Sequence, residues 1–85
     1  MKTCRVKGNI VATIKNEKFD GCRFLIVQPL DETDNEIGES FVAVDDIGCG
    51  VGEKVLVTCG SSAKYVFEKD IPVDAAIIGI VDKNQ

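Results

Sequence analysis

Three short segments of this 85-residue chain have no polar face: residues 24–30, 41–44 and 75–81. Continuous apolar runs of this length, bounded by turn residues, read as strands covered on both sides. A chain this short cannot cover them easily. A domain of this size buries only about 60% of the surface its unfolded chain exposes, around one thin core. With 45% of residues hydrophobic, apolar surface exceeds what one small interior holds. The second face of these strands therefore needs either loops of the same chain or a second molecule.

The rest of the sequence supplies strands and turns. Residues 4–14 alternate, with Cys4, Val6, Ile10, Ala12 and Ile14 on one face and Arg5, Lys7, Asn9 and Thr13 on the other. Val11 breaks the pattern. A period of two predicts a half-buried strand. Gly8 on the apolar side permits a bulge. A polar connection, 15–21, leads to a second strand at 23–30, where Pro29 lacks an N–H and places the far end at an edge or just outside the ladder. Residues 31–39 are a polar loop or hairpin tip, 40–45 a third strand, and Lys54–Cys59 a fourth. Gly48, Gly50 and Gly52 shape the turn between them by positive φ and close backbone approach. Serine after Gly60 predicts a helical turn at 62–65. Residues 66–70 read as loop, Pro72 and Val73 lead into the fifth strand at 75–81, and 82–85 form a polar end. The expectation is an all-β domain over residues 1–85. It is a small five-stranded OB-like Greek-key barrel with one short helix, an SH3-like barrel being the alternative.

Chemistry is hard to find. Ten basic residues face 14 acidic ones, for a net charge of −4, with no basic run to track phosphates. Exposed aromatics for base stacking are limited to Phe19, Tyr65 and Phe67. There is no histidine, so the commonest general base is absent. Cys4, Cys22, Cys49 and Cys59 contain no C-x-x-C pair and no zinc spacing. Cys4 and Cys59 read as buried core thiols. The acids at 31–36 lack EF-hand spacing and read as a solvated tip. The alternating glycines run into a strand and match neither a dinucleotide fingerprint nor a Walker loop. No apolar stretch reaches signal-peptide or membrane-spanning length, so a soluble, cytosolic protein with reduced thiols is expected. No catalytic residue, metal or cofactor is assigned.

Five ordered motifs resemble one family. Gly8-Asn9-Ile10-Val11-Ala12-Thr13 and Phe24-Leu25-Ile26-Val27-Gln28-Pro29-Leu30-Asp31 are similar to the opening of the bacterial microcompartment vertex proteins, the EutN/CcmL family. The run from Phe41 through Asp45, Gly48 and Gly52 to Glu53 resembles that family's middle. Gly60-Ser61-Ser62-Ala63-Lys64, then Pro72-Val73-Asp74-Ala75-Ala76-Ile77-Ile78-Gly79-Ile80-Val81-Asp82, resemble its end.

The resemblance implies a cyclic pentamer at the vertices of a polyhedral shell in the bacterial cytoplasm, among hexameric facet proteins. It implies no catalysis, no cofactor, no nucleic acid and no membrane. Gly60, Ser61 and Ser62 are then candidates for the five-fold axis. Lys64, Asp74, Ala75, Ala76 and Ile78 are candidates for the subunit interface. Lys64 stands where the family often has arginine, whose planar bidentate contact lysine cannot make. Cys49 stands where a small residue such as alanine is common and reads as a conservative filler; an exposed thiol near the axis would be redox-sensitive. Two other readings compete: an OB-like module for single-stranded nucleic acid or a small anion, and an enzyme using Cys59 or Cys49.

Overall fold

The computed structural model describes residues 1–13, 15–66 and 73–82, and only the backbone of Ser62, Lys64 and Tyr65. Ile14, Phe67, Pro72, the 66–70 loop beyond Val66 and the polar end beyond Asp82 lie outside the described residues, so the expectations placed on them are not pursued.

Five strands form: β1 (Lys2–Ile10), β2 (Arg23–Pro29), β3 (Phe41–Asp45), β4 (Lys54–Cys59) and β5 (Ala75–Ile80). They close into a barrel in the order β1-β2-β3-β5-β4. Neighbours are antiparallel except β3 and β5, whose parallel contact pairs Val44 with Ala76. This is the OB-like order expected. Inward residues such as Val6, Leu25, Val27, Val55, Val57 and Ile77 are fully buried in one core. Each contributes about 1.5–3 kcal/mol relative to exposure.

The bulge permitted by Gly8 is present. Val6 faces Val27 and Gly8 faces Ile26, so Lys7 is the extra residue. The bulge reverses the phase of the strand. Ile10, expected in the core, instead pairs with Phe24 on the outer face and is 36% exposed. Ala12 lies beyond the strand and is exposed. A strict period of two cannot survive an inserted residue, and that is why the alternation misplaces both.

The far end of β2 differs by a residue. Pro29 is still in register opposite Cys4, and the N–H of Leu30 donates to the carbonyl of Thr3 at 2.8 Å. Proline needs no ladder donor at a strand's last position, so pairing reaches it.

The single predicted helix is a 3-10 turn, Ser61–Val66, entered from Gly60 at φ +82°. A second 3-10 turn, Glu17–Phe19, is capped by Asn16, whose Oδ1 accepts from the N–H of Lys18. Together these turns build a small second core outside the barrel wall. Val44, Ala63 and Ala76 are buried there, with Phe19, Cys22, Phe24 and Val73 packed against them. Phe19 and Phe24 stack with ring centroids 5.4 Å apart.

The acidic loop is not a free tip. It folds back as a strap on the outside of β1 and β4. Lys7 bridges Glu36 at 2.8 Å and Lys54 bridges Asp34 at 2.6 Å. Gln28 Nε2 donates to the carbonyls of Ile37 and Gly38. Inside the strap, Asp31 Oδ1 accepts from Thr33 N, Thr33 Oγ1 and Asn35 N. These hydrogen bonds hold its carboxyl below the usual aspartate value.

Candidate assembly surface

Two turns, one at each end of β4, carry most of the residues singled out in the sequence. At one end of the barrel the N–H of Gly60 donates to the carbonyl of Asp74 at 2.7 Å, and Cys59 pairs with Ala75. The loop at Gly60 and Ser61 therefore lies beside the start of β5, and all three of Gly60, Ser61 and Asp74 are exposed. The side chains of Ser62 and Lys64 lie outside the described residues.

Ala75 and Ala76 sit differently from Asp74. Ala75 is in the barrel core and Ala76 is fully buried in the second core. Their side chains are used within the chain, so any part they play in an interface is support from beneath. Ile78 is half-buried. It is the extra residue where Leu56 faces Gly79 and Val57 faces Ile77.

The second turn is organised by Asp45, which is completely buried. Its carboxylate accepts from the N–H groups of Ile47, Gly48 and Cys49 at 2.9, 3.0 and 3.0 Å. The Cys49 thiol donates to the same carboxylate at 3.4 Å. Arg23 stands 4.0 Å away and donates to the Cys49 carbonyl at 3.0 Å. A buried carboxylate persists only when charge and hydrogen bonds satisfy it, and here both do. Gly48 and Gly52 take φ of +101° and +93°. Gly50 serves differently: its N–H donates to Glu53 Oε1 at 2.6 Å, and a Cβ would lie 3.4 Å from that oxygen. The turn thus holds Ile47 and Val51 out to solvent on a fixed frame.

Cys49 is fully buried, in keeping with a filler at this position, and presents no exposed thiol. Burial, then the Asp45 carboxylate, push its pKa up to about 12. Burial and the nearby Cys59 raise Cys4 to about 11. Thiolates are the reactive form, so neither is a nucleophile at neutral pH. Both should resist maleimide labelling at pH 7.5 in the folded protein and react after denaturation. The folded pKa values exceed the ordinary 9.0. The stability these thiols contribute is therefore complete below about pH 9, and is lost as pH rises towards 11–12. Urea midpoints measured from pH 8 to 11 should fall, and an unchanged midpoint would contradict the burial. Among the described residues no group of three Asp, Glu or Cys side chains could hold a metal ion.

What the surface offers is apolar. Val42 on β3 is 44% exposed beside half-buried Ile26 on β2, and Leu56 on β4 and Ile80 on β5 are 36% and 39% exposed. The sequence profile described as "Ethanolamine utilisation protein EutN/carboxysome" matches residues 1–82. The chain belongs to the EutN/CcmL family. It is 43% identical to the carboxysome shell vertex protein CcmL of Synechococcus elongatus, over 96% of this chain and 84% of that protein. It is 47% identical to the microcompartment shell vertex protein GrpN of Rhodospirillum rubrum, over 92% of this chain and 89% of that one. Among solved structures, EutN of Escherichia coli superposes with a TM-score of 0.87 at 41% identity, covering 96% of this chain and 85% of its own. The Rhodospirillum rubrum GrpN structure, described as a pentameric microcompartment shell protein, gives 0.83 at 42% identity, covering 98% and 94%. CcmL and GrpN are named as shell vertex proteins.

Sequence reasoning missed Asp45 and the strap. An aspartate two to four residues before Ile47, Gly48 and Cys49 is the signal of an Asx-type turn and could have pointed to it. The strap's ion pairs join residues 29 and 20 apart in sequence and leave no local trace.

Proposed function

We infer that this EutN/CcmL chain assembles as a closed ring of five copies that caps the vertices of a polyhedral microcompartment shell in the bacterial cytoplasm. The observation that carries this is the likeness, over nearly the whole chain, to proteins named as shell vertex proteins, one of them described as pentameric. A sheet of hexagonal tiles is flat. Pentagons inserted among hexameric facet proteins supply the curvature that closes it. The task is geometric, and a sequence without histidine whose buried thiols stay protonated suits it.

In this reading Gly60, Ser61 and Ser62 approach the five-fold axis, where small residues let five copies converge. Lys64, Asp74 and Ile78 lie towards the neighbouring subunit. Ala75 and Ala76 hold β5 in place beneath them. The chain needs no cofactor in this role.

Light scattering or native mass spectrometry tests it. The expected species is about 46 kDa, five times the 9.2 kDa chain. A stable monomer at micromolar concentration would overturn the assignment.

A further inference from the structure

The turn that leads into β2 has a specific geometry. It runs from Phe19 through Asp20 and Gly21 to Cys22, whose N–H donates to the carbonyl of Phe19 at 3.0 Å. Asp20 has φ −60° and ψ 131°, and Gly21 has φ +84°. These are the central angles of a type II turn, which favours glycine at its third position. The turn also anchors the second core. Phe19 and Cys22, its two ends, pack with Phe24 against Val44, Ala63 and Ala76.

The peptide at the centre of this turn is open to attack. Asp20 and Gly21 are both exposed. A Cβ built on Gly21 would meet nothing within 4 Å, so no distant group crowds the site. The N–H groups of Asp20 and Cys22 are engaged, but among the described residues that of Gly21 has no acceptor. This is the sequence's one Asp-Gly step, and it contains no Asn-Gly step. At every other aspartate the next residue has a side chain that shields the following amide nitrogen. Glycine leaves that nitrogen bare. It also lets the peptide plane rotate between the type II and type I arrangements, which carries the nitrogen round to the Asp20 side chain.

We propose that Asp20–Gly21 is a site of spontaneous backbone modification, at which Asp20 becomes isoaspartate. The Gly21 nitrogen attacks Cγ of the protonated Asp20 carboxyl. The proton on nitrogen leaves with the carboxyl hydroxyl as water, and a five-membered cyclic imide forms. Water then adds to the main-chain carbonyl carbon of Asp20 and breaks its bond to nitrogen. The chain now runs through Cβ and Cγ, and the former carbonyl is a free carboxylate. One water leaves and one returns, so the mass is unchanged and no oxidant is needed. The product has one extra methylene in the backbone between Phe19 and Cys22. The hydrogen bond that closes the turn loses its spacing, and Phe19 loses its fixed place 5.4 Å from the Phe24 ring. The site thus ages the subunit by loosening its second core, whatever the oligomeric state.

Incubating the purified, assembled protein for weeks at neutral pH tests this. Trypsin cuts after Lys18 and Arg23 and releases residues 19–23 as one peptide. A second form of that peptide should accumulate with time, equal in mass, shifted in retention and identified as isoaspartyl by electron-transfer fragmentation. Peptides carrying the other aspartates should gain such a form several-fold more slowly. Asp20→Glu keeps the carboxylate but would need a six-membered imide, so it should gain none. The urea midpoint of the aged wild type should fall below that of fresh protein, while aged and fresh Asp20→Glu should agree. The comparison among the wild type's own aspartates stands without the variant. No isoaspartate at residue 20, or equal accumulation at the other aspartates, would overturn the site. Accumulation at residue 20 with an unchanged midpoint would overturn its effect on the second core.

Discussion

Replacing Asp45 with alanine should cost about 3–5 kcal/mol, the usual penalty for removing one partner of a buried charged network. The carboxylate accepts three backbone N–H groups and a thiol, with Arg23 beside it. Its loss leaves the N–H of buried Cys49 without an acceptor at a position water does not reach freely. A domain of this length has a total stability of roughly 4–13 kcal/mol. The change therefore consumes a large share of it, and urea unfolding should show a much lower midpoint with an unchanged slope. Asp45→Asn keeps one acceptor but turns an NH2 group towards a backbone donor, so it should fall between the two. Cys49→Ala removes only the weak S–H donor and should cost far less. A loss below about 1 kcal/mol for Asp45→Ala would mean the turn is held by its glycines alone.

The contrast between Asp45 and the strands shows what a sequence carries. Lys54–Cys59 is a strand in both readings because its alternation, flanked by turn residues, is undisturbed. β1 begins two residues earlier than its pattern and ends four earlier. The bulge at Lys7 moves Ile10 to the outer face. Gly8 signals that a bulge is possible, yet the position of the inserted residue depends on the partner strand. The outer apolar faces were legible as a need for cover. Which part is covered by the chain itself was not. Phe24 is sheltered by the 3-10 turn just before it, and Val44 by Ala63 of the 3-10 turn far along the chain, while Val42, two residues before Val44, stays open. The residues at Gly60 and Asp74 were legible through a family likeness, and the hydrogen bond between them shows why they travel together.

Ala76→Asp should abolish the ring by unfolding the subunit, and the distinction from an interface effect is measurable. Ala76 is fully buried in the second core, paired with Val44 across the parallel seam and with Thr58 on β4. Its buried neighbours there are Val44 and Ala63. Among the described residues, that core consists of apolar side chains and Cys22, so a carboxylate there meets a poor solvent for charge and also adds volume. The expected cost is about 3–5 kcal/mol from the unpaired charge and overpacking together. The seam where the barrel closes is the worst place for it, because β3 and β5 share a single bridge. The introduced carboxyl would have its pKa raised by burial, above the ~3.9 of an unfolded chain. Its penalty is therefore smallest in acid and grows as pH rises past that value. Ala76→Asp should show reduced helix-free β signal and a low unfolding midpoint at pH 7, with partial recovery near pH 4. Val42→Glu, at a side chain 44% exposed on β3, should instead leave the subunit folded with a wild-type midpoint. If Ala76→Asp also yields a stable, folded monomer, the second core contributes little to the subunit, and Ala76 belongs to the contact between copies after all.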